Sequence, residues 1–133
     1  MWKRTAAVLA IVVGLVTATM AFARVAYNTI DTVAVATENG RHVVVTGPLE
    51  CTPGERAYLS VTVTQRTTGA LAEGRGFVIC TGEIQQWGVD AAVQGSENFE
   101  VGPATAVAVA RSVARGVTTD AHQWLVPITL IAE

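Results

Sequence analysis

Few side chains in this 133-residue sequence are of a type that does chemistry, and their spacing limits what that chemistry is. Cys51 and Cys80 are its two cysteines. A separation of 29 positions is far from the Cys-x-x-Cys spacing of a redox pair, so one structural disulfide is expected. Closing a loop of that size stabilises a fold by about 3–4 kcal/mol on the chain-entropy account. His42 and His122 are the only imidazoles available as general bases. A nucleophilic triad would also need an activated Ser or Cys and an orienting carboxylate, and no Gly-x-Ser-x-Gly elbow accompanies either histidine.

Asp120 and His122 stand two apart, so in a strand both would leave the same face, but a zinc site wants a third ligand. Asp120 is instead expected to cap a turn after Thr118-Thr119. Glu97-Asn98-Phe99-Glu100 lacks the alternating Asp/Asn pattern of a calcium loop and reads as a solvated loop. Glu50, Glu55, Glu73, Glu83 and Asp90 mostly neighbour turns, and no two stand out as the carboxylate pair of a glycosidase. Gly74-Arg75-Gly76 leads into a strand, without the helix whose N-terminus would hold a phosphate. No catalytic, metal-binding or cofactor-binding residue is therefore assigned, and the chain is expected not to be an enzyme. Binding is the chemistry left. Trp87 and Trp124 either anchor the core, as a domain with few aromatics needs, or line a ligand face. Arg66, Leu71 and Arg75 make the stretch from 66 to 76 the candidate binding loop. The row Ser60, Thr62, Thr64 is either an adhesive surface or an ordinary solvent face.

What positions these residues begins with an export signal. Lys3 and Arg4 precede an uncharged run from Thr5 to Ala23, whose apolar part from Ala6 to Val16 has the length of a signal core and is short for a spanning helix. Ala21 and Ala23 are small residues at the two positions a signal peptidase reads, so cleavage after Ala23 is expected. The alternative is an uncleaved anchor. Residues 1–23 are thus expected to be a signal-peptide helix and 24–133 one secreted, extracellular domain. Cleavage removes Lys3 and Arg4 from nine basic residues, and the remaining seven arginines against 11 acidic residues give a net charge of −4. With those arginines scattered singly along the chain, neither nucleic acid nor an anionic membrane is an expected partner. An oxidising compartment also favours pairing of the two cysteines.

The domain reads as short strands. Residues 32–36 and 42–46 flank Asn39-Gly40, a hairpin signal because a tight I′ turn needs positive φ at both central positions. Pro48 and the Cys51-Thr52-Pro53-Gly54 stretch are expected to end the second strand. Between Ala57 and Gln65, Leu59, Val61 and Val63 alternate with polar residues, as one buried and one wet face require. A link through Thr67, Thr68, Gly69 and Gly74 leads to a strand ending at Cys80, and residues 84–93 form a fifth. Residues 104–113 are compatible with helix, but Val107 and Val109 alternate with alanines at period two, which favours a strand. The last strand spans about His122 to Ile131, with Trp124, Val126, Ile128 and Leu130 on one side and Pro127 suggesting an edge. About seven strands without a helix predict an all-β, immunoglobulin-like antiparallel sandwich.

Cys51-Thr52-Pro53-Gly54, the strand ending Val63-Thr64-Gln65, and Cys80-Thr81-Gly82 followed by Trp87 together resemble a group of uncharacterised small secreted proteins of high-GC Gram-positive bacteria. The likeness runs from about Thr32 to Leu130. It implies export and the immunoglobulin-like β-sandwich fold, and because that group has no assigned activity it brings no site residues with it. Antibody-type domains place a core tryptophan between their cysteines, whereas Trp87 follows Cys80, so their disulfide arrangement is not assumed. The expected function is a secreted, non-enzymatic binding or surface-associated module for an extracellular protein or glycan. The alternatives are an inhibitor of secreted hydrolases, presenting the 66–76 loop, and a carrier of a small apolar ligand beside Trp87 or Trp124.

Overall fold

The computed structural model describes residues 29–133. The expected signal peptide, with its helix and the cleavage residues Ala21 and Ala23, lies outside the described residues. The strands are β1 (Val33–Thr37), β2 (His42–Leu49), β3 (Arg56–Thr64), β4 (Leu71–Ile79), β5 (Gln85–Val93), β6 (Gly102–Ala114) and β7 (Val117–Ala132). Burial alternates at period two in β2 to β6 and in the second half of β7. In β3, for example, Ala57, Leu59, Val61 and Val63 are buried while Arg56, Ser60 and Thr64 are exposed.

These strands do not form an immunoglobulin-like sandwich; they close into a barrel in the order β1-β2-β5-β4-β3-β6-β7. Two seams close it. At the first, β1 runs antiparallel to β2, from Val35↔Val44 to Thr37↔His42, and parallel to β7, from Val33↔Thr129 to Ala36↔Ala132. At the second, β4 lies along the whole of β3 and meets β5 through Ala72↔Val93 and Glu73↔Ala92. Inward and outward residues alternate in a sandwich layer and in a barrel wall alike, so periodicity does not separate the two architectures. The seams decide it, and the β1–β7 pairing joins segments far apart in sequence.

Several local expectations change for stated physical reasons. The first hairpin forms, but its turn takes in Glu38, Asn39 and Gly40, all with positive φ, and Gly40 is irreplaceable because a Cβ there would lie 2.1 Å from the Phe99 carbonyl oxygen. Pro48 does not end β2; it pairs with Gln86, and β1 reaches only Val44, so one edge of β2 carries no ladder at the proline. Strand β4 starts at Leu71, much earlier than its glycines suggest. Gly74 and Gly76 sit inside it, where a Cβ on Gly74 would come 2.5 Å from the Asp90 carbonyl oxygen of β5. Residues 104–113 are strand, and their inward row Ala104, Ala106, Ala108 and Ala110 is buried. Asp120 lies within β7 rather than at a turn.

The core is built mainly from Val43, Val45, Leu49, Leu59, Val61, Val63, Trp87, Val89, Ile128 and Leu130. Trp87, 2% exposed, occupies room left by Gly47, whose added Cβ would fall 2.8 Å from the indole. Cys51 and Cys80 form a disulfide with Cα atoms 5.3 Å apart, tying the end of β2 to the end of β4. The ends of β3 are held by buried polar groups. Glu55 accepts hydrogen bonds from the hydroxyls of Ser112 and Thr119, the latter displaced by a register shift between β6 and β7. Gln65 donates to the carbonyl oxygens of Glu100 and Pro103 and accepts from Glu100 N–H and the Thr68 hydroxyl, using its full amide capacity to fasten the loop between β5 and β6.

Candidate binding face

The outward side chains of β4, β3 and β6 form a cationic and aromatic surface that the register assembles row by row. Phe77, Tyr58 and Arg111 are direct neighbours across the three strands; Arg75, Ser60 and Val109 form the next row on one side, and Ile79, Arg56 and Val113 on the other. Alternation sends all of them outward, because Leu59, Val61 and Ala110 fill the intervening inward positions. The guanidinium of Arg56 lies 4.7 Å from the centroid of Phe77, and that of Arg111 lies 5.1 Å from the centroid of Tyr58. The two rings are 6.2 Å apart and inclined by 45°. Phe77 is 56% exposed, an unusual position for an aromatic ring with no structural duty inside.

Among the described residues the arginines of this face have no ion-pair partner: every ion pair there involves a histidine, and none includes Arg56, Arg75 or Arg111. Stacking on a ring holds a guanidinium plane in place while leaving its N–H fork free to donate to a carboxylate, sulfate or phosphate. Tyr58, Ser60, Arg75, Val109 and Arg111 line a depression of about 270 Å³, and Ser60, Thr62, Glu73, Arg75 and Gln94 line a second of about 300 Å³. Arg75 stands between the two. The glycines on either side of it let β4 lie close over β5, with Gly76 itself in the floor of the first depression.

The other sequence candidates are dispersed or inward. Arg66 lies in the turn after β3, while Leu71 and Arg75 belong to β4, so the three are not one loop. Of the tryptophans, Trp87 is in the core, and Trp124 is half-buried with His122 stacked on it at 5.9 Å. His122 Nε2 is 3.2 Å from Asp120 Oδ2, and His42 lies between Asp90 at 3.0 Å and Glu38 at 3.1 Å. Among the described residues no group of three His, Cys, Asp or Glu is arranged to hold a metal. A larger hollow of about 480 Å³ lies between the first hairpin, Phe99 and the end of β7, where the charged side chains, Glu38 and Glu133, are both acidic. Arg56, Tyr58, Phe77 and Arg111 were not candidates from the sequence. Their one legible signal is that each occupies an outward phase of a strand, which requires the register to become a cluster.

No family model matches the chain, and no curated protein matches it. Among solved structures it is similar to a β-glucuronidase from glycoside hydrolase family 2, with a TM-score of 0.41 and 14% identity over 75% of this chain and 11% of that one. The chain thus spans about a tenth of that protein's length, and a likeness at this level carries no argument about fold or chemistry.

Proposed function

We propose that this chain is an exported, non-enzymatic binding module that meets an anionic partner on the outer face of β4, β3 and β6. The observation that supports the reading best is the gathering of Arg56, Arg75 and Arg111 beside Tyr58 and Phe77, none of them in an ion pair among the described residues. A surface arginine held only by a ring is worth little to the fold, whereas a desolvated guanidinium–anion pair is among the stronger contacts an interface can make. Export is supported by the charged and apolar pattern of residues 1–23 and is compatible with the Cys51–Cys80 bond. The proposal keeps the chain within the group of small secreted proteins that its cysteine, turn and tryptophan pattern resembles.

Two measurements test this. Protein recovered from the medium should begin at Arg24, and a product beginning at Met1 overturns the cleaved signal. Envelope and medium polymers should be retained on the immobilised protein. Replacing Arg56, Arg75 and Arg111 together with Gln should weaken that retention at least about tenfold, the scale of one lost charge-assisted contact. Equal retention by the triple variant overturns the assignment of the face.

A further inference from the structure

We infer that the ligand of this face is an acidic polysaccharide, one whose carboxylates are spaced along a hydroxyl-bearing backbone; the inference rests on the binding face just described. Its basis is that the two depressions differ in chemistry yet share Arg75 and Ser60. The first offers guanidinium groups beside a phenol ring. The second offers Thr62, Glu73 and Gln94, a carboxylate and neutral polar groups suited to hydroxyl partners. A polymer of densely packed phosphates would meet Glu73 as a like charge. A polymer that alternates an anionic group with neutral hydroxyls meets complementary groups at both depressions.

Geometry favours the same class. Arg75 and Arg111 are two strands apart and offset by two residues, about 12 Å between Cα positions from ordinary sheet spacings. That separation suits well-spaced carboxylates. An extended peptide would gain its affinity by adding main-chain hydrogen bonds at a sheet edge, but β3, at the centre of this face, is paired on both sides, to β4 and to β6, and offers side chains alone. Both depressions lie side by side on an outward sheet face and share Arg75, which suits a polymer lying across the face.

The test is equilibrium binding of the full chain to polygalacturonate, its methyl-esterified form, poly-L-glutamate and single-stranded DNA. Polygalacturonate should bind, and esterification, which keeps the hydroxyls and removes the charge, should weaken binding at least about tenfold. Arg75→Gln and Arg111→Gln should each weaken it about tenfold while lowering the melting temperature by no more than a few degrees. Glu73→Gln should weaken it severalfold although it removes a repelling charge, because the amide oxygen that replaces the carboxylate is a weaker acceptor for a hydroxyl. Poly-L-glutamate or DNA bound as tightly as polygalacturonate, or a gain of affinity in Glu73→Gln, overturns the polysaccharide and leaves the binding face standing. Binding of no polyanion, or binding indifferent to both arginine variants, overturns the inference and the face together.

Discussion

The two outer walls of the barrel treat their charged groups in opposite ways. On the β2–β5 wall, Asp31 accepts from the Thr46 hydroxyl at 2.7 Å and from Gln86 at 2.9 Å, while Asp90 and Glu38 flank His42. Each charge there has a partner supplied by the chain itself. On the β4–β3–β6 wall, Arg56 and Arg111 rest on aromatic rings and Arg75 stands between two open depressions. Partnered polar groups contribute to one folded state and have little left to offer a ligand. Unpartnered guanidiniums do the reverse: they add little to stability and keep their hydrogen-bonding capacity for an outside acceptor. The contrast separates a wall that holds the barrel from a wall that is available to a ligand, and it can be broken by mutation.

The largest effect should come from the bond beneath both walls. Cys51→Ser with Cys80→Ser should lower unfolding free energy by about 3–4 kcal/mol, read from denaturant midpoint and slope together because the slope rises as the uncrosslinked unfolded chain exposes more surface, and should weaken both walls together. Next is the place where the walls meet. Gly74→Ala forces a methyl group toward the Asp90 carbonyl and the Ala91 backbone, and should cost about 2 kcal/mol. Gly88→Ala is its control, since the added atom would meet only Thr46 Cγ2 at an ordinary 3.7 Å; it should cost well under about 1 kcal/mol. Equal losses in the two variants would show that the close crossing of β4 over β5 does not constrain the barrel. Smaller again, Asp31→Ala strands the Thr46 hydroxyl and the Gln86 amide and should cost about 1 kcal/mol while leaving polyanion binding intact.

The strands were largely legible in the sequence because burial imposes its period directly on residue type. Leu59, Val61 and Val63 point inward as their alternation requires, and β6 is a strand, as its alternating valines favour over a helix. The pairing of Cys51 with Cys80 was legible by elimination, there being no other cysteine. Closure of the barrel was not, because nothing in the residues 33–37 or 71–73 announces partners near residues 129–132 or 92–93. The same lack of register hid the binding face: Arg56, Arg75 and Arg111 are isolated charges along the chain and neighbours only once β4, β3 and β6 are laid side by side. Gly74-Arg75-Gly76 was legible as an unusual spacing but not as its purpose, which is to let β4 lie close over β5 while Arg75 points outward.

The smallest stability effect should coincide with the largest effect on binding, and that inversion is the sharpest form of the comparison between walls. Arg111→Gln removes a guanidinium that lies on Tyr58 and has no ionic partner among the described residues. A cation–ring contact at an exposed site contributes about 0.5–1 kcal/mol, and the retained glutamine stem keeps part of the packing, so the melting temperature should fall by no more than a few degrees. Affinity for polygalacturonate should fall about tenfold in the same variant, and its dependence on salt should become shallower as one anion contact is lost. Asp31→Ala should show the opposite pairing, a lower melting temperature and unchanged affinity. If Arg111→Gln instead destabilises the barrel as much as Asp31→Ala does, the guanidinium belongs to the fold, and the division of the two walls into one that holds and one that binds does not stand.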